Sequence, residues 1–599
     1  MKRSTWTTAL CLAGLFTFNS CGEEFLNRPP QAQYSPSAVQ NAQGVEALLV
    51  GAYGQLDGIP VPGPGWFGAV SNWVFGGIPS DDAYKGTDAG DQPEQTFIER
   101  YVWLTTNDHV RGKWGALYNG VARANDVIQT VANVTDMTDT RKKQVEAEAR
   151  FLRGFYHFEA KKMWNNIPYI DDKTYDKSNP NSTKVANDKD TWPLIEADFT
   201  AAAAALPDAF DGQPGRATKW AATAMLAKCK MFQAFDPYTG TPNNAALTAA
   251  KTFLDQIINS GRFSLMDKYG DNFSANPSAR NNKESIFEVQ YSLTSAADGG
   301  GNQGDGLAWP YNNGPGGCCG FYQPSQNLVN AFQTDANGLP LLDTFNNRDV
   351  KNDEGIASDD ATYLPETGNL DPRLDHTVGR RGIPYKDWTP GSVHPGRAWV
   401  RDQAYGGPFS PKKHIAEKAN TGVSGWTNLN ANNYRLLRYS HVLLWAAEVE
   451  TEIGSLEKAR EYVNQVRTRA ANPDGFVMGR QTGYDSKGLA VVDATKPAAN
   501  YVVKTYTAPW TDKALARKAV RFEQRLEFGM EGTRFFDLVR WGIAEPTLNA
   551  YVAKESGRRT YLNGAVFRKN QNEYYPIPQQ EIINSAVAGQ PTLKQNKGY

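Results

Sequence analysis

The sequence predicts a mostly α-helical fold: a tetratricopeptide-like scaffold of stacked helical hairpins, with long loop-rich insertions that carry the ligand site. Three observations lead there. Segments with apolar residues spaced three and four apart recur along the chain and pair into hairpins. Two stretches, about 55–115 and 267–435, instead hold many Gly, Pro, Asn, Asp, Trp and Tyr residues with little periodicity, and loops that long in a compact chain are usually functional. A chain of 599 residues buries a large core without help, so its five cysteines are not needed as staples.

Taken in order, the first element is a leader. Lys2 and Arg3 precede a predominantly apolar run over 9–18, too short to span a bilayer, and Ser20 stands before Cys21. Residues 1–20 read as a signal peptide whose end resembles a bacterial lipoprotein signal, with Cys21 as the lipidated first residue of the mature chain and Phe18 where leucine is usual. An ordinary secreted protein with an incidental cysteine is the alternative. No later run is apolar enough for a transmembrane helix, so residues 21–599 are expected as one lipid-tethered domain.

Helices follow. In "VEAEARFLRGFYHFEAKKMW" (145–164), Phe151, Phe155 and Phe158 mark the inner face, Glu148, Arg150 and Arg153 the outer, and Pro168 the stop. "TWPLIEADFTAAAAALP" and "GRATKWAATAMLAKCKMFQAF" form a second pair. In "RYSHVLLWAAEVETEIGSLEKAREYVNQVRTRAA", Gly454 ends one helix and Ser455 caps the next, whose apolar stripe is Leu456, Ala459, Val463, Val466 and Ala470. Hairpins of this length suggest stacked repeats, although the usual repeat consensus is absent.

Charge and motifs exclude several functions. The formal charge of -1 and the lack of a basic run argue against nucleic acid as partner. There is no GxSxG, HExxH, CxxC or Walker loop. "GPGWFG" (63–68) and "GGGNQG" (299–304) match GxGxxG, but neither lies between a strand and a helix. The strongest catalytic pattern is "VRFEQRLEFGMEGTRFFDLVRW", where Glu523, Glu527, Glu531 and Asp537 interleave with Arg521, Arg525, Arg534 and Arg540. A glycosidase needs two carboxylates flanking a scissile bond, one poised as an acid. Glutamates one turn apart beside arginines stay ionised, so a structural ion-pair network is expected.

Several blocks then carry a resemblance: "CGEEFLNRPP" (21–30), "EARFLRGFYHFEAKKMWNNIPYI" (148–170), "GRATKWAATAMLAK" (215–228), "YRLLRYSHVLLWAAEVETEIG" (434–454), "VNQVRTRA" (463–470), "RLEFGMEGTRFFDLVRWG" (525–542) and "YYPIPQQEIINSAVAGQPTLKQNKGY" (574–599), with "SDDAYKG" (80–86) and "FYQPSQNLVNAF" (321–332) beside them. They resemble, in order, the signature blocks of the SusD/RagB family. The resemblance implies a non-catalytic surface lipoprotein of the Bacteroidetes outer membrane, with a tetratricopeptide-like scaffold. It would bind oligo- or polysaccharide and sit as a lid on a SusC-type TonB-dependent transporter. Glu23 and Glu24 resemble that group's acidic surface-export signal. A lid of the same fold that takes peptides is the alternative, and a glycoside hydrolase a remoter one.

Within "GPGGCCGFYQP" (314–324), Cys318 and Cys319 are adjacent. Neighbouring Cα atoms lie about 3.8 Å apart, below the usual disulfide range of about 4.4–6.8 Å, so a bond between them forms a tight ring that flanking glycines permit. The alternatives are two packed thiols, or a bridge from one of them to Cys229. A bonded pair is a rigid apolar knob suited to the hydrophobic face of a sugar. The other expected ligand residues are the aromatics Trp66, Trp73, Trp309, Tyr311, Tyr322, Trp399 and Tyr405, with Asp81, Asp82, Arg380 and Arg381 as polar partners. Arg373 and Asp375 could pair with each other. No cofactor is expected: two adjacent cysteines without a nearby histidine make a poor metal site, and acidic loops such as "DTFNNRDVKNDE" (343–354), where a structural calcium is conceivable, lack EF-hand spacing and read as solvated loop.

Overall fold

The computed structural model describes residues 39–60, 63–292, 301–312, 314–420, 429 and 431–599. The expected signal peptide, Cys21 and the acidic residues after it lie outside the described residues.

Ten helices of twelve or more residues occur among the described residues: α1 (Ala42–Gly54), α2 (Asp108–Val131), α3 (Asp139–Trp164), α4 (Trp192–Ala205), α5 (Lys219–Phe232), α6 (Asn244–Asn259), α7 (Tyr439–Ile453), α8 (Leu456–Ala470), α9 (Lys513–Phe528) and α10 (Ala544–Glu555). Most begin where a short polar side chain accepts from the first-turn N–H groups: Asn107 for α2, Thr138 for α3, Thr218 for α5, Asn243 for α6, Ser455 for α8 and Asp512 for α9. None of these helices is long and apolar enough to cross a membrane.

Successive helices pack on one another from α2 to α6, α1 covers α2 and α3, and α6 packs directly against α7. The stack therefore continues across the whole loop-rich insertion between Asn259 and Tyr439. Stacking of this kind buries faces that no single hairpin could bury alone.

One helix differs from its expected pattern. Glu148 and Arg153 do not face solvent; both are buried, because α3 is sandwiched between α2 and α4. Each has a dedicated partner set. Glu148 accepts from Tyr53, Arg141 and Arg216, while Arg153 donates to Asp198, Asp172 and Asn125. A 3.6-residue period cannot distinguish a helix with one buried face from one enclosed on two sides. The α3 helix ends at Trp164, before Pro168, with Asn165 at its C-cap. In α8, Ala459, Val463, Val466 and Ala470 are buried as the stripe predicts.

Strands are few, short and antiparallel. They pair as β1 (Ala83–Gly86) with β3 (Phe321–Pro324), β2 (Ser285–Val289) with β6 (Tyr434–Arg438), β4 (Val378–Gly379) with β5 (Ser410–Pro411), and β7 (Met478–Tyr484) with β8 (Ala490–Pro497). The register Gly86↔Phe321 matters most, because it sets the loop after β1 beside the cysteine turn before β3. Beneath these loops lies a small core separate from the main one: Ala275, Trp309, Tyr385, Ile415 and Ala416, with Trp388 and Trp399 packed on it.

Candidate functional site

Cys318 and Cys319 are joined by a disulfide, and Cys229 is a free, buried thiol. The turn that carries the pair is closed by Gly317 N–H donating to the Gly314 carbonyl at 3.2 Å. Glycine is needed at both of its edges. A Cβ on Gly314 would stand 3.2 Å from Cγ of Trp399, and Gly320 has φ +76° with its Cβ position 3.1 Å from Cβ of Tyr311. Tyr311 in turn donates its backbone N–H to the Trp399 carbonyl at 3.0 Å. Tyr311, Cys318 and Trp399 thus meet in one loop cluster, each partly exposed, with Cys319 buried beneath.

Three residues that the sequence reading missed complete it. Arg401 lies over the Tyr311 ring, 5.3 Å from its centroid, and pairs with Asp88 at 2.8 Å and Asp91 at 2.7 Å. The 87–91 turn is held from below by buried Lys85, whose ammonium donates to the carbonyls of Asp88 and Asp91, both at 2.6 Å. Burial pulls that ammonium down to about 8, against the nearby carboxylates that raise it. A Thr-Asp…Asp turn facing a distant arginine has no signature that one sequence reveals.

The cluster offers a half-buried indole, a phenol ring and a sulfur knob beside an Arg/Asp rim. Cavities of about 430, 360 and 300 Å³ lie on the helical scaffold, and none of the three is lined by Tyr311, Cys318 or Trp399.

Most of the other expected ligand residues are structural. Trp73 is buried and donates to the Gly304 carbonyl at 2.8 Å, with Tyr322, also buried, packed on it at 5.8 Å. Asp81 and Asp82 are buried and bind Arg525 and Arg534 from the far end of the chain, with distances of 2.8 Å from Arg534 to Asp81 and 2.9 Å from Arg525 to Asp82. Trp309 is the centre of the small core. Arg380 is spent on Asp375 at 2.6 Å, and Arg381 on the carbonyls of Ala357 and Asp360 at 2.8 and 2.7 Å. Tyr405 is buried, stacked on Tyr561 at 4.1 Å and bonded to Thr96 at 2.6 Å. Trp66, half-buried, packs on the main core and edge-on to Phe67. The physical reason is common to these buried residues: planar and charged side chains in Gly/Pro-rich segments also serve to fill and pin loops that lack a ladder of backbone hydrogen bonds.

The glutamate-rich helix end is a buried ion network. Arg373 contacts Glu523 at 2.7 Å, Glu527 at 3.1 Å and Asp371 at 2.8 Å. Arg438 joins Glu527, Glu531 and Glu284, while Arg467 and Arg469 hold Glu523 and Glu527. Glu523, Glu527 and Glu531 take their partners from other segments, while Asp537 pairs with Arg540 of the motif itself at 2.8 Å, and Arg373 is not paired with Asp375. Burial alone would raise the carboxyl of Glu531, but the charges of Arg438 and Lys413 outweigh it and hold it at about 2; Glu527 is likewise kept well below 4.5 by Arg469, Arg438 and Arg373. Glu527 and Glu531 are thereby held ionised by their arginines rather than raised as a general acid would be.

The acidic loop is paired too, Asp349 with Arg558 at 2.6 Å and Glu354 with Arg559 at 2.6 Å. Among the described residues no group of three or more His, Cys, Asp or Glu side chains is placed to hold a metal ion.

The chain is thus a stack of helical hairpins that carries a loop-borne aromatic cluster. Its family follows from comparison with known proteins. Residues 283–599 match the family described as the SusD family, and residues 82–231 match that described as "Starch-binding associating with outer membrane". The chain belongs to the SusD family.

A SusD-like protein of Formosa agariphila is 24% identical over 551 residues, 88% of each chain. A SusD-like protein of Bacteroides ovatus is 26% identical over 290 residues, so the match spans about half the length of that relative, 48% of each chain. The fold matches a SusD superfamily protein from Bacteroides vulgatus with a TM-score of 0.65 at 20% identity, covering 94% of this chain and 100% of that one. It also matches surface glycan-binding protein A from Bacteroides thetaiotaomicron in complex with laminarihexaose, with a TM-score of 0.64 at 23% identity over 93% and 99% of the two chains.

Proposed function

We propose that this protein is a glycan-binding lipoprotein of the outer-membrane surface, without catalytic activity. It captures oligo- or polysaccharide on the Tyr311, Cys318–Cys319 and Trp399 platform and passes it to a SusC-type TonB-dependent transporter. The observation that carries the reading is the platform itself: apolar faces set at one loop cluster beside the hydrogen-bonding rim of Arg401, Asp88 and Asp91. A pyranose presents the complement, an apolar C–H face and a belt of hydroxyls. Family membership supports the outer-membrane setting, and the laminarihexaose-bound relative supports a saccharide as the ligand class. Each contact is weak, so affinity builds up along an extended chain and stays modest for single sugars.

Affinity electrophoresis against plant, fungal, bacterial and host polysaccharides tests the reading, with Cys318→Ser/Cys319→Ser alongside. Retardation by one polymer, weakened in the variant, supports the platform. If no saccharide retards the folded protein while peptides bind in a parallel titration, the chain is a peptide lid. Release of cleavage products from any bound polymer would overturn the non-catalytic part.

A further inference from the structure

The C-terminal end of α3, the start of α4 and the segment after α5 enclose a cleft of about 360 Å³ on the helical scaffold, sharing no residue with the platform. Trp192, Tyr238 and Tyr574 line it with half-exposed rings, the two tyrosines edge to face with centroids 6.4 Å apart. The indole N–H and both hydroxyls have no hydrogen-bond partner among the described residues. Asn165 also faces the cleft, at φ +56° and ψ −66°, a region that a non-glycine residue occupies only where its surroundings hold it there. Its backbone N–H is spent on the Lys161 carbonyl, while its side-chain amide has no partner among the described residues.

Charge distinguishes this cleft from an ordinary crevice. Lys161 lies 5.7 Å from the Trp192 ring centroid, with its side chain only 6% exposed. Its ion-pair partner is Asp190 at 3.3 Å, which is itself 63% exposed. The other two cations of the cleft are already committed, Lys162 to Glu159 at 2.7 Å and Arg540 to Glu448 at 2.7 Å. A nearly buried ammonium held by a carboxylate that reaches in from solvent is a carboxylate receptor with a displaceable occupant, because an exposed ion-pair partner contributes little.

We propose that this cleft is a second ligand site, for an acidic sugar: a uronic acid whose ring stacks among Trp192 and Tyr238, whose carboxylate replaces Asp190 on Lys161, and whose hydroxyls reach Asn165 and Tyr574. Aromatic faces with unspent polar tips suit a saccharide ring. The nearly buried lysine is what selects the acid, since a neutral sugar would leave Lys161 and Asp190 as they are. The site is independent of the platform and stands whether or not the platform binds glycan.

The test is a calorimetric titration of the full chain with galacturonic acid trisaccharide, using the neutral galactose trisaccharide as control. We expect saturable binding of the acid, at least tenfold weaker binding of the neutral trimer, at least a tenfold loss in Lys161→Met, and several-fold tightening in Asp190→Asn. Tyr238→Ala, at a half-exposed position, is expected to lose at least fivefold and keeps the test decisive if Lys161→Met fails to fold. Equal binding of the two trimers, no saturable binding of the acid, or full binding by Lys161→Met or Tyr238→Ala at wild-type melting temperature would each overturn the proposal. So would an acidic peptide that binds this cleft where the sugar does not.

Discussion

The backbone N–H of Tyr311 donates to the carbonyl of Trp399 at 3.0 Å, joining two loops 88 positions apart in sequence. That single bond sets the two rings beside the cysteine turn, and the small core under Trp399 fixes their height. Rigid rings on a pinned loop lose little freedom when a ligand arrives.

Trp399 and Trp309 should separate binding from stability. Trp399→Ala removes a half-buried platform ring and is expected to weaken polysaccharide binding about 5- to 30-fold, roughly 1–2 kcal/mol, with a small change in melting temperature. Trp309→Ala empties the centre of the small core, costs roughly 3–5 kcal/mol, and lowers both melting temperature and affinity. Affinity electrophoresis and thermal melts on the same samples check both; equal melting temperatures for the two variants would refute the division of roles.

Reduction tests the cysteine pair. A disulfide between adjacent residues closes no chain loop, so it removes almost no entropy from the unfolded chain. Dithiothreitol is therefore expected to leave the melting temperature within about 1 °C while weakening retention by the polysaccharide. Unchanged retention after thiol labelling has verified reduction would remove the pair from the site.

The ion network should be brittle to single changes. Glu527→Gln leaves Arg373, Arg438 and Arg469 short of a counter-charge in a buried place, and a loss of roughly 3–5 kcal/mol is expected. A melting temperature within error of wild type would show that water reaches the network.

Acid should destabilise the protein through the same groups. Glu531, Glu159 and Asp81 are each held at about 2 in the fold despite burial, Glu531 by Arg438 and Lys413, Glu159 by Lys162 and Lys113, Asp81 by Arg525 and Arg534. Their folded values lie below the ordinary 4.5 and 3.8, so the stability they contribute is complete above those values and is lost as pH falls through about 2. Melting temperatures are expected to drop steeply from pH 4.5 downward.

Glu99 runs the opposite way. Burial raises it to about 7, against the hydrogen bond from Tyr561, so its contribution is full below 4.5 and is lost as pH rises through 7. Glu99→Gln should flatten the pH dependence of stability between 5 and 8. Thermal melts across that range, with an unaltered slope in the variant, would show that another group is responsible.

By itself the sequence determined the family, the helical scaffold and the extent of its hairpins, because these depend on local periodicity, on caps such as Thr138, Thr218 and Ser455, and on blocks of residues that keep their order along the chain. It also marked the cysteine turn, since adjacent cysteines between glycines are rare enough to read directly. Tertiary structure alone decided which aromatic and charged residues face outward. Trp73, Trp309 and Tyr405 look no different in sequence from Tyr311 and Trp399, and Asp81 no different from Asp88. What separates them is a distant partner: Arg525 and Arg534 take Asp81, Tyr561 takes Tyr405, and Arg401 crosses to Asp88 and Asp91. Exposure in a loop is set by what arrives from elsewhere in the chain, and that information is non-local.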